Sequence, residues 1–211
     1  MKKTLHIILI DHFDSFTFNL VDLFKKKNFM VTVIRADMSF KNACSYLNNP
    51  DYQAVLVLSP GPGNPTEASL AIKLIQHYYS TLPILGVCLG HQIIAYALDG
   101  SIEQHTQPLH GKAVYIDHNR AGLFENIPTP LQVGRYHSLF VKNVPSRLSI
   151  TATYDNMIMG FCHKDYPVYG LQFHPESILT PQGSGIIDNF LEISKKFYQK
   201  KQQPHKVDDH A

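Results

Sequence analysis

The stretch Pro83-Ile84-Leu85-Gly86-Val87-Cys88-Leu89-Gly90-His91-Gln92 carries an apolar, strand-sized run straight into a helical pattern, with a cysteine at the junction in the form Gly-x-Cys-x-Gly. A sharp strand-to-helix turn holds its central side chain in a strained, exposed pose, and flanking glycines keep Cβ atoms clear of it. The helix that follows sets its N-terminus behind the sulfur, where negative charge is favoured. Taken alone, the pattern fits a structural turn as well as it fits a nucleophile.

On the N-terminal side of this junction the chain alternates in a regular way. The runs His6–Ile10, Met30–Arg35 and Ala54–Ser59 read as strands. Between them lie helical patterns at Phe16/Leu20/Leu23/Phe24, around Phe40–Leu47 and near Thr66–Tyr79, and another helix is expected from Leu89 to Leu98. Strands alternating with helices predict βαβ units and a parallel sheet, and near-continuous apolar strands predict helices on both faces. The helix near Thr66 has start signals in Asn64 as N-cap, Pro65 at the first position and Glu67 three residues after the cap. After Gly100 the texture changes to short β-like pieces at Ala113–Ile116, Leu131–Val133, Ser149–Thr153, Met157–Cys162 and Val168–Phe173, followed by an amphipathic helix at about Gly185–Tyr198. The expected fold is therefore α/β, a central, mostly parallel sheet flanked by helices with a smaller antiparallel β section in the second half. A single domain is expected over residues 1–199, with a polar tail at 200–211 that frays.

Composition narrows the function classes. The 211 residues are 44% hydrophobic and 17% charged, which fits a globular core rather than a disordered chain. Lys plus Arg number 19 against 17 Asp plus Glu, and a net charge of +2 lacks the concentrated positive field of a nucleic-acid binder. No apolar run approaches the roughly 18 residues of a membrane span, and the expected setting is the cytoplasm. The three cysteines, Cys44, Cys88 and Cys162, have no CxxC spacing, which argues against a disulfide framework and fits a reducing compartment. Cys44 reads as packing. Cys162 and His163 are sequence neighbours that face opposite sides of a strand, a poor dyad. A zinc site from Cys88, His91 and a distant histidine lacks paired spacing, so no metal is expected.

A partner for Cys88 is offered by Gly170-Leu171-Gln172-Phe173-His174-Pro175-Glu176-Ser177, where an apolar run ends in a base and a carboxylate two residues apart. On a strand such residues face one side, so Glu176 would hold His174 in one tautomer while its other ring nitrogen faces Cys88. A turn histidine with a local carboxylate is the plain alternative. The loop Ser59-Pro60-Gly61-Pro62-Gly63-Asn64-Pro65 interleaves prolines, which have no N–H, with glycines that do. That suits an oxyanion hole at Gly61, completed by the N–H of Leu89, better than a phosphate cradle, whose motifs are missing. Gly61, Cys88 and Asp11 all fall at the carboxyl ends of expected parallel strands, where ligands bind in doubly wound sheets. The segment Gly134-Arg135-Tyr136-His137-Ser138-Leu139 is polar amid β-like sequence, either an exposed bend or the lining of a polar pocket.

These motifs together, with Asp11-His12-Phe13-Asp14-Ser15-Phe16-Thr17-Phe18-Asn19-Leu20 at the start, resemble the class I (triad) glutamine amidotransferases. More narrowly they resemble the small subunits that serve anthranilate synthase and aminodeoxychorismate synthase. The resemblance spans about residues 5–195. It departs from the family's usual pattern at Ser69 and Phe13, and includes the Leu109-His110-Gly111-Lys112 signature. It implies hydrolysis of the L-glutamine side-chain amide by a Cys88–His174–Glu176 triad, with Gly61 and Leu89 holding the oxyanion. Gly61, Pro62, Gly63, Gln92, Ser138 and Leu139 would bind the amino-acid end. It further implies ammonia delivery to a large chorismate-binding synthase subunit, no cofactor in this chain, and Mg2+ only in that partner. The competing readings are a free-standing cysteine hydrolase of γ-glutamyl bonds and a non-catalytic glutamine-binding regulatory subunit.

Overall fold

The computed structural model describes residues 3–104 and 111–202. Four strand–helix units open the chain: β1 (Leu5–Asp11) and α1 (Thr17–Lys25), β2 (Met30–Arg35) and α2 (Phe40–Leu47), β3 (Gln53–Leu58) and α3 (Ser69–Tyr78), β4 (Ile84–Val87) and α4 (Leu89–Ala97). The second half holds β5 (Ser101–Gln104), β6 (Lys112–His118), β7 (Leu131–Arg135), β8 (Leu139–Asn143), β9 (Leu148–Tyr154), β10 (Met157–His163) and β11 (Val168–Leu171), then α5 (Gly183–Gln202). Nine strands make one sheet in the order β2-β1-β3-β4-β11-β10-β9-β6-β7, while β5 and β8 form a separate ribbon. Strands β2, β1, β3, β4 and β11 run parallel, and from β10 outward every pairing is antiparallel.

The apolar strands are buried on both faces, as their composition requires. Along β1, Ile7 and Leu9 enter one core with Leu20 and Phe24 of α1 and Ile186 and Phe190 of α5, whereas Ile8 and Ile10 enter the other with α2, α3 and α4. The same alternation sends Val55 and Val57 one way and Leu56 and Leu58 the other. Each fully buried Ile, Leu or Phe contributes about 1.5–3 kcal/mol of transfer free energy, so both layers hold the sheet firmly against its helices.

Three details differ from the sequence expectation. Asn64 does cap, its Oδ1 accepting from Thr66 N at 3.0 Å, but what it caps is a short 3-10 turn at Pro65–Glu67, and α3 starts only at Ser69. The antiparallel second half is as expected, and β11 joins it to the parallel half in one sheet by pairing in parallel with β4 and antiparallel with β10. The ribbon β5–β8 has no counterpart in the sequence pattern. Helix α5 runs through Gln202, past the expected boundary at 199, while residues 203–211 and the Leu109-His110 part of the signature lie outside the described residues. Among the described residues no helix is long and apolar enough to cross a membrane.

The topology decides where chemistry can occur. Asp11 ends β1, the Ser59–Gly63 loop leaves β3 and Cys88 leaves β4, all at the carboxyl edge of the parallel strands. Cys88 N donates to Leu171 O at 2.8 Å, extending the β4–β11 ladder by one step and carrying residues 172–176 over that same edge.

Candidate active site

Cys88 has φ 52° and ψ −101°, a left-handed pose that a residue with a Cβ adopts only when its surroundings impose it. The surroundings do so through two glycines. A Cβ at Gly86 would lie 2.4 Å from the backbone of Gly90, and one at Gly90 would lie 2.4 Å from Leu58 O. Helix α4 therefore rests directly on β3 and β4, and the chain can only turn sharply at residue 88. The first turn of α4 leaves the N–H of Leu89 without an intrahelical partner. Gly61 packs against the Leu89 side chain, since a Cβ there would meet Leu89 Cδ2 at 2.8 Å and His12 Cβ at 2.5 Å.

The loop after β1 is organised by carboxylates. Asp11 Oδ1 accepts from Phe13 N at 3.0 Å and Thr17 Oγ1 at 2.8 Å, and Asp14 Oδ1 accepts from Phe16 N at 2.9 Å. Asp11 thus shapes the edge of the site and ties the loop to the first residue of α1 through the Thr17 hydroxyl. Behind the loop, Ser59 Oγ donates to Pro60 O at 2.6 Å and accepts from His12 N at 2.9 Å, tying the β1 and β3 exits together.

His174 is buried, and its Nδ1 lies 2.6 Å from Glu176 Oε1 in a pair whose carboxylate is closed to solvent. The pairing anticipated from spacing is present, but it is not made on a strand. β11 ends at Leu171, and residues 172–176 bend, the His174 backbone being fixed instead by Thr180 Oγ1 on its carbonyl at 2.7 Å. Phe16 and Tyr136 pack edge-on to the imidazole, at 5.4 and 4.9 Å between ring centroids. With Nδ1 on the carboxylate, Nε2 has no hydrogen-bond partner among the described residues. Burial works to lower the His174 pKa, but interaction with the Cys88 thiol and the Glu176 carboxylate outweighs it and raises the value to about 10. A pKa raised in this way favours the imidazolium form of His174 at neutral pH.

Cys88 stands between two cavities. One, of about 180 Å³, is lined by Gly61, Pro62, Gly63, Cys88, Leu89, Gln92, Ser138 and Leu139, every residue assigned above to substrate or oxyanion, together with Tyr136 and His137. The other, an open cleft of about 500 Å³, shares Gly61, Pro62 and Cys88 and adds His174, Phe13 and Phe16. Of the segment 134–139 that sequence left open, residues 136–139 line the pocket and are not an exposed bend, while Arg135, the last residue of β7, is buried. Gln92 commits both hydrogens of its Nε2, to Leu139 O at 2.8 Å and Gln172 Oε1 at 3.1 Å, leaving its Oε1 to accept from a ligand. Sequence reasoning missed Tyr136, whose hydroxyl pairs with Ser177 Oγ at 3.1 Å, and Gln172, whose Nε2 reaches Cys88 Sγ at 3.8 Å. A polar amide inside an otherwise apolar run was the available signal for Gln172. Cys162 and His163 stand apart from this site; His163 Nδ1 accepts from Asp165 N at 3.0 Å.

The chain is 42% identical over 188 residues to anthranilate synthase component 2 of Haemophilus influenzae, covering 89% of this chain and 96% of that protein. It is 40% identical over 193 residues to aminodeoxychorismate/anthranilate synthase component 2 of Bacillus subtilis, covering 90% and 97% respectively. A crystal structure from Thermoplasma acidophilum, described as one subunit of a GMP synthase, superposes with a TM-score of 0.84 at 25% identity over 96% of this chain and 100% of that one. The model of the class-I glutamine amidotransferase family matches residues 8–193, and the chain belongs to that family.

Proposed function

We propose that this chain is the glutamine-hydrolysing subunit of a chorismate-using synthase, with anthranilate synthase the first candidate, and that Cys88, His174 and Glu176 are its catalytic triad. The observation that carries the reading is the buried His174–Glu176 pair with an unpaired Nε2, facing the same cleft as a cysteine held at positive φ. The relatives' names and the match along nearly their whole length support the choice of synthase.

In this mechanism the Cys88 thiolate attacks the δ-carbon of glutamine, and the carbonyl electron pair moves onto oxygen, where the N–H groups of Gly61 and Leu89 receive it. Collapse breaks the C–N bond. The nitrogen takes a proton from His174 and leaves as ammonia, and a γ-glutamyl thioester remains on Cys88. Water then gives a proton to the neutral His174 and attacks the thioester. The C–S bond breaks, glutamate departs, and thiolate and imidazolium are restored, so glutamine and water have become glutamate and ammonia. Pro62, Gly63, Gln92, Ser138 and Leu139 hold the amino-acid end in the smaller cavity. The open cleft gives ammonia its exit toward the large subunit. This half-reaction draws on sulfur, imidazole and backbone donors of this chain, and Mg2+ is assigned to the chorismate site of the partner. The setting is cytoplasmic.

The test is glutamate release by wild type and Cys88→Ala, each alone and with a chorismate-binding large subunit, with the aromatic product identified. Partner-stimulated release that Cys88→Ala abolishes supports the triad, and the product names the branch. A Cys88→Ala chain that stimulates the partner as well as wild type does would identify a glutamine-binding regulatory role instead.

A further inference from the structure

Gln172 is fully buried and stands outside the triad. Its place follows from the sheet, since Leu171 O accepts from Cys88 N and the next residue must lie beside the cysteine. Which end of a glutamine amide is oxygen is ordinarily a matter of assignment, but here chemistry allows one answer. The Leu139 carbonyl can only accept, and Gln92 meets it at 2.8 Å, so Gln92 presents its NH2 there. The second hydrogen of that NH2 goes to Gln172 at 3.1 Å, so the near end of Gln172 is oxygen and the far end, 3.8 Å from Cys88 Sγ, is NH2. The same carbonyl is met by His137 Nδ1 at 2.8 Å, which puts the proton on Nδ1 and leaves Nε2 to accept from Arg135 Nε at 3.2 Å. The Leu139 carbonyl thus accepts from both His137 and Gln92, and this acceptor fixes the Gln92 amide and, through it, the direction of the Gln172 amide.

We propose that Gln172 is a further catalytic residue, donating an amide N–H to the Cys88 sulfur, and that Gln92 and Leu139 act as positioning residues that fix the direction of this donation. The inference rests on the reading of Cys88 as the nucleophile. A donor on a thiolate lowers its basicity, which costs some nucleophilicity but improves the sulfur as a leaving group. Gln172 therefore favours the second half of the reaction, in which the thioester C–S bond breaks and the electron pair returns to a sulfur that already has a hydrogen bond waiting.

The experiment compares wild type with Gln172→Met, of similar volume with no N–H, and Gln172→Glu, which turns an acceptor toward the sulfur. Alkylation of Cys88 by iodoacetamide is followed across pH by mass spectrometry of its own peptide, because Cys44 and Cys162 are partly accessible. Gln172→Met should move the alkylation profile up by about one to two pH units, and Gln172→Glu should move it further. In the complex with a large subunit, the glutamyl thioester trapped on Gln172→Met during turnover should exceed that on wild type several-fold. Variants that melt lower yet keep the wild-type alkylation profile and thioester level would overturn the proposal and leave Gln172 a packing residue. Failure of wild type to release glutamate with any partner would instead overturn the amidotransferase reading, and the alkylation profiles would still report on the amide and the sulfur.

Discussion

Gly90→Ala is a perturbation whose sign separates two accounts of the turn at Cys88. Alanine is the better helix former by about 0.8–1.0 kcal/mol, so if α4 merely followed β4 loosely the change would stabilise the protein. The structure predicts the opposite. The new Cβ would lie 2.4 Å from Leu58 O and 2.7 Å from Leu58 Cβ, about 1 Å inside ordinary contact, and both atoms belong to the central strand β3. Neither can retreat without breaking the ladder to β1 or β4. The helix must lift, and overpacking of this kind costs about 1–3 kcal/mol. For a chain of this size a net loss of that order lowers Tm by about 2–4 °C per kcal/mol. Because Leu89 and Cys88 ride on the same turn, a displacement of about 1 Å should also reduce partner-stimulated glutamate release by about 10²-fold. Thermal unfolding by circular dichroism and a glutamate-release assay on the same preparations measure both quantities. A raised Tm with unimpaired release would refute the claim that α4 sits in contact with β3 and that this contact sets the nucleophile.

Three further outcomes follow from the site. Glu176→Gln keeps an acceptor for His174 Nδ1 but removes the charge behind the imidazolium, and kcat for glutamate release should fall by about 10²- to 10⁴-fold with KM little changed; a kcat within about twofold of wild type would remove Glu176 from the triad. On the acid side, burial lowers the pKa of His91 to about 3 and of His12 to about 4, so the unfolded chain takes up protons that the folded chain refuses. Stability should drop below pH ~6.5 with up to about 1.4 kcal/mol per pH unit from each ring, and urea titrations of His12→Asn should show a shallower slope. On the alkaline side the His174 contribution has the reverse sign. It is complete below pH ~6.5 and is lost as pH climbs toward about 10, a decline that Glu176→Gln should flatten in the same titrations.

The parallel half of the sheet was legible because two-sided burial writes itself as uninterrupted apolar runs between helical patterns, and the bounds of β2 and α2 match those patterns to the residue. The ribbon β5–β8 was not. Ser101–Gln104 is largely exposed, so no apolar period marks it, and its pairing with Leu139–Asn143 is a long-range choice that local sequence does not encode. The His174–Glu176 contact was found through a spacing of two, a strand argument, although a bend held by Thr180 makes it. Its geometry depends on residues that a short window cannot see. Pro62, Gly63, Gln92, Ser138 and Leu139 came from resemblance to a family, and the cavity they share required the fold. Gln172 stayed hidden because a buried amide is meaningful only once its neighbours are known, and the sulfur it touches is 84 residues away.

The dual pairing of β11 also sets the order in which a growing chain becomes a finished protein. While the ribosome is still making the second half, β1 to β4 and their helices can already associate, but the outer edge of β4 stays open until Val168–Leu171 emerges. That edge is four buried residues, Ile84 to Val87, the kind of apolar, unpaired margin that recruits neighbouring chains during synthesis. The cysteine beside it is meanwhile without imidazole, carboxylate or amide, since all three arrive just after β11. A nascent or truncated chain therefore carries a sticky strand and an inert thiol together, and the closing of one gap removes both conditions at once. Stalling before residue 168 should yield aggregates rather than stray glutaminase.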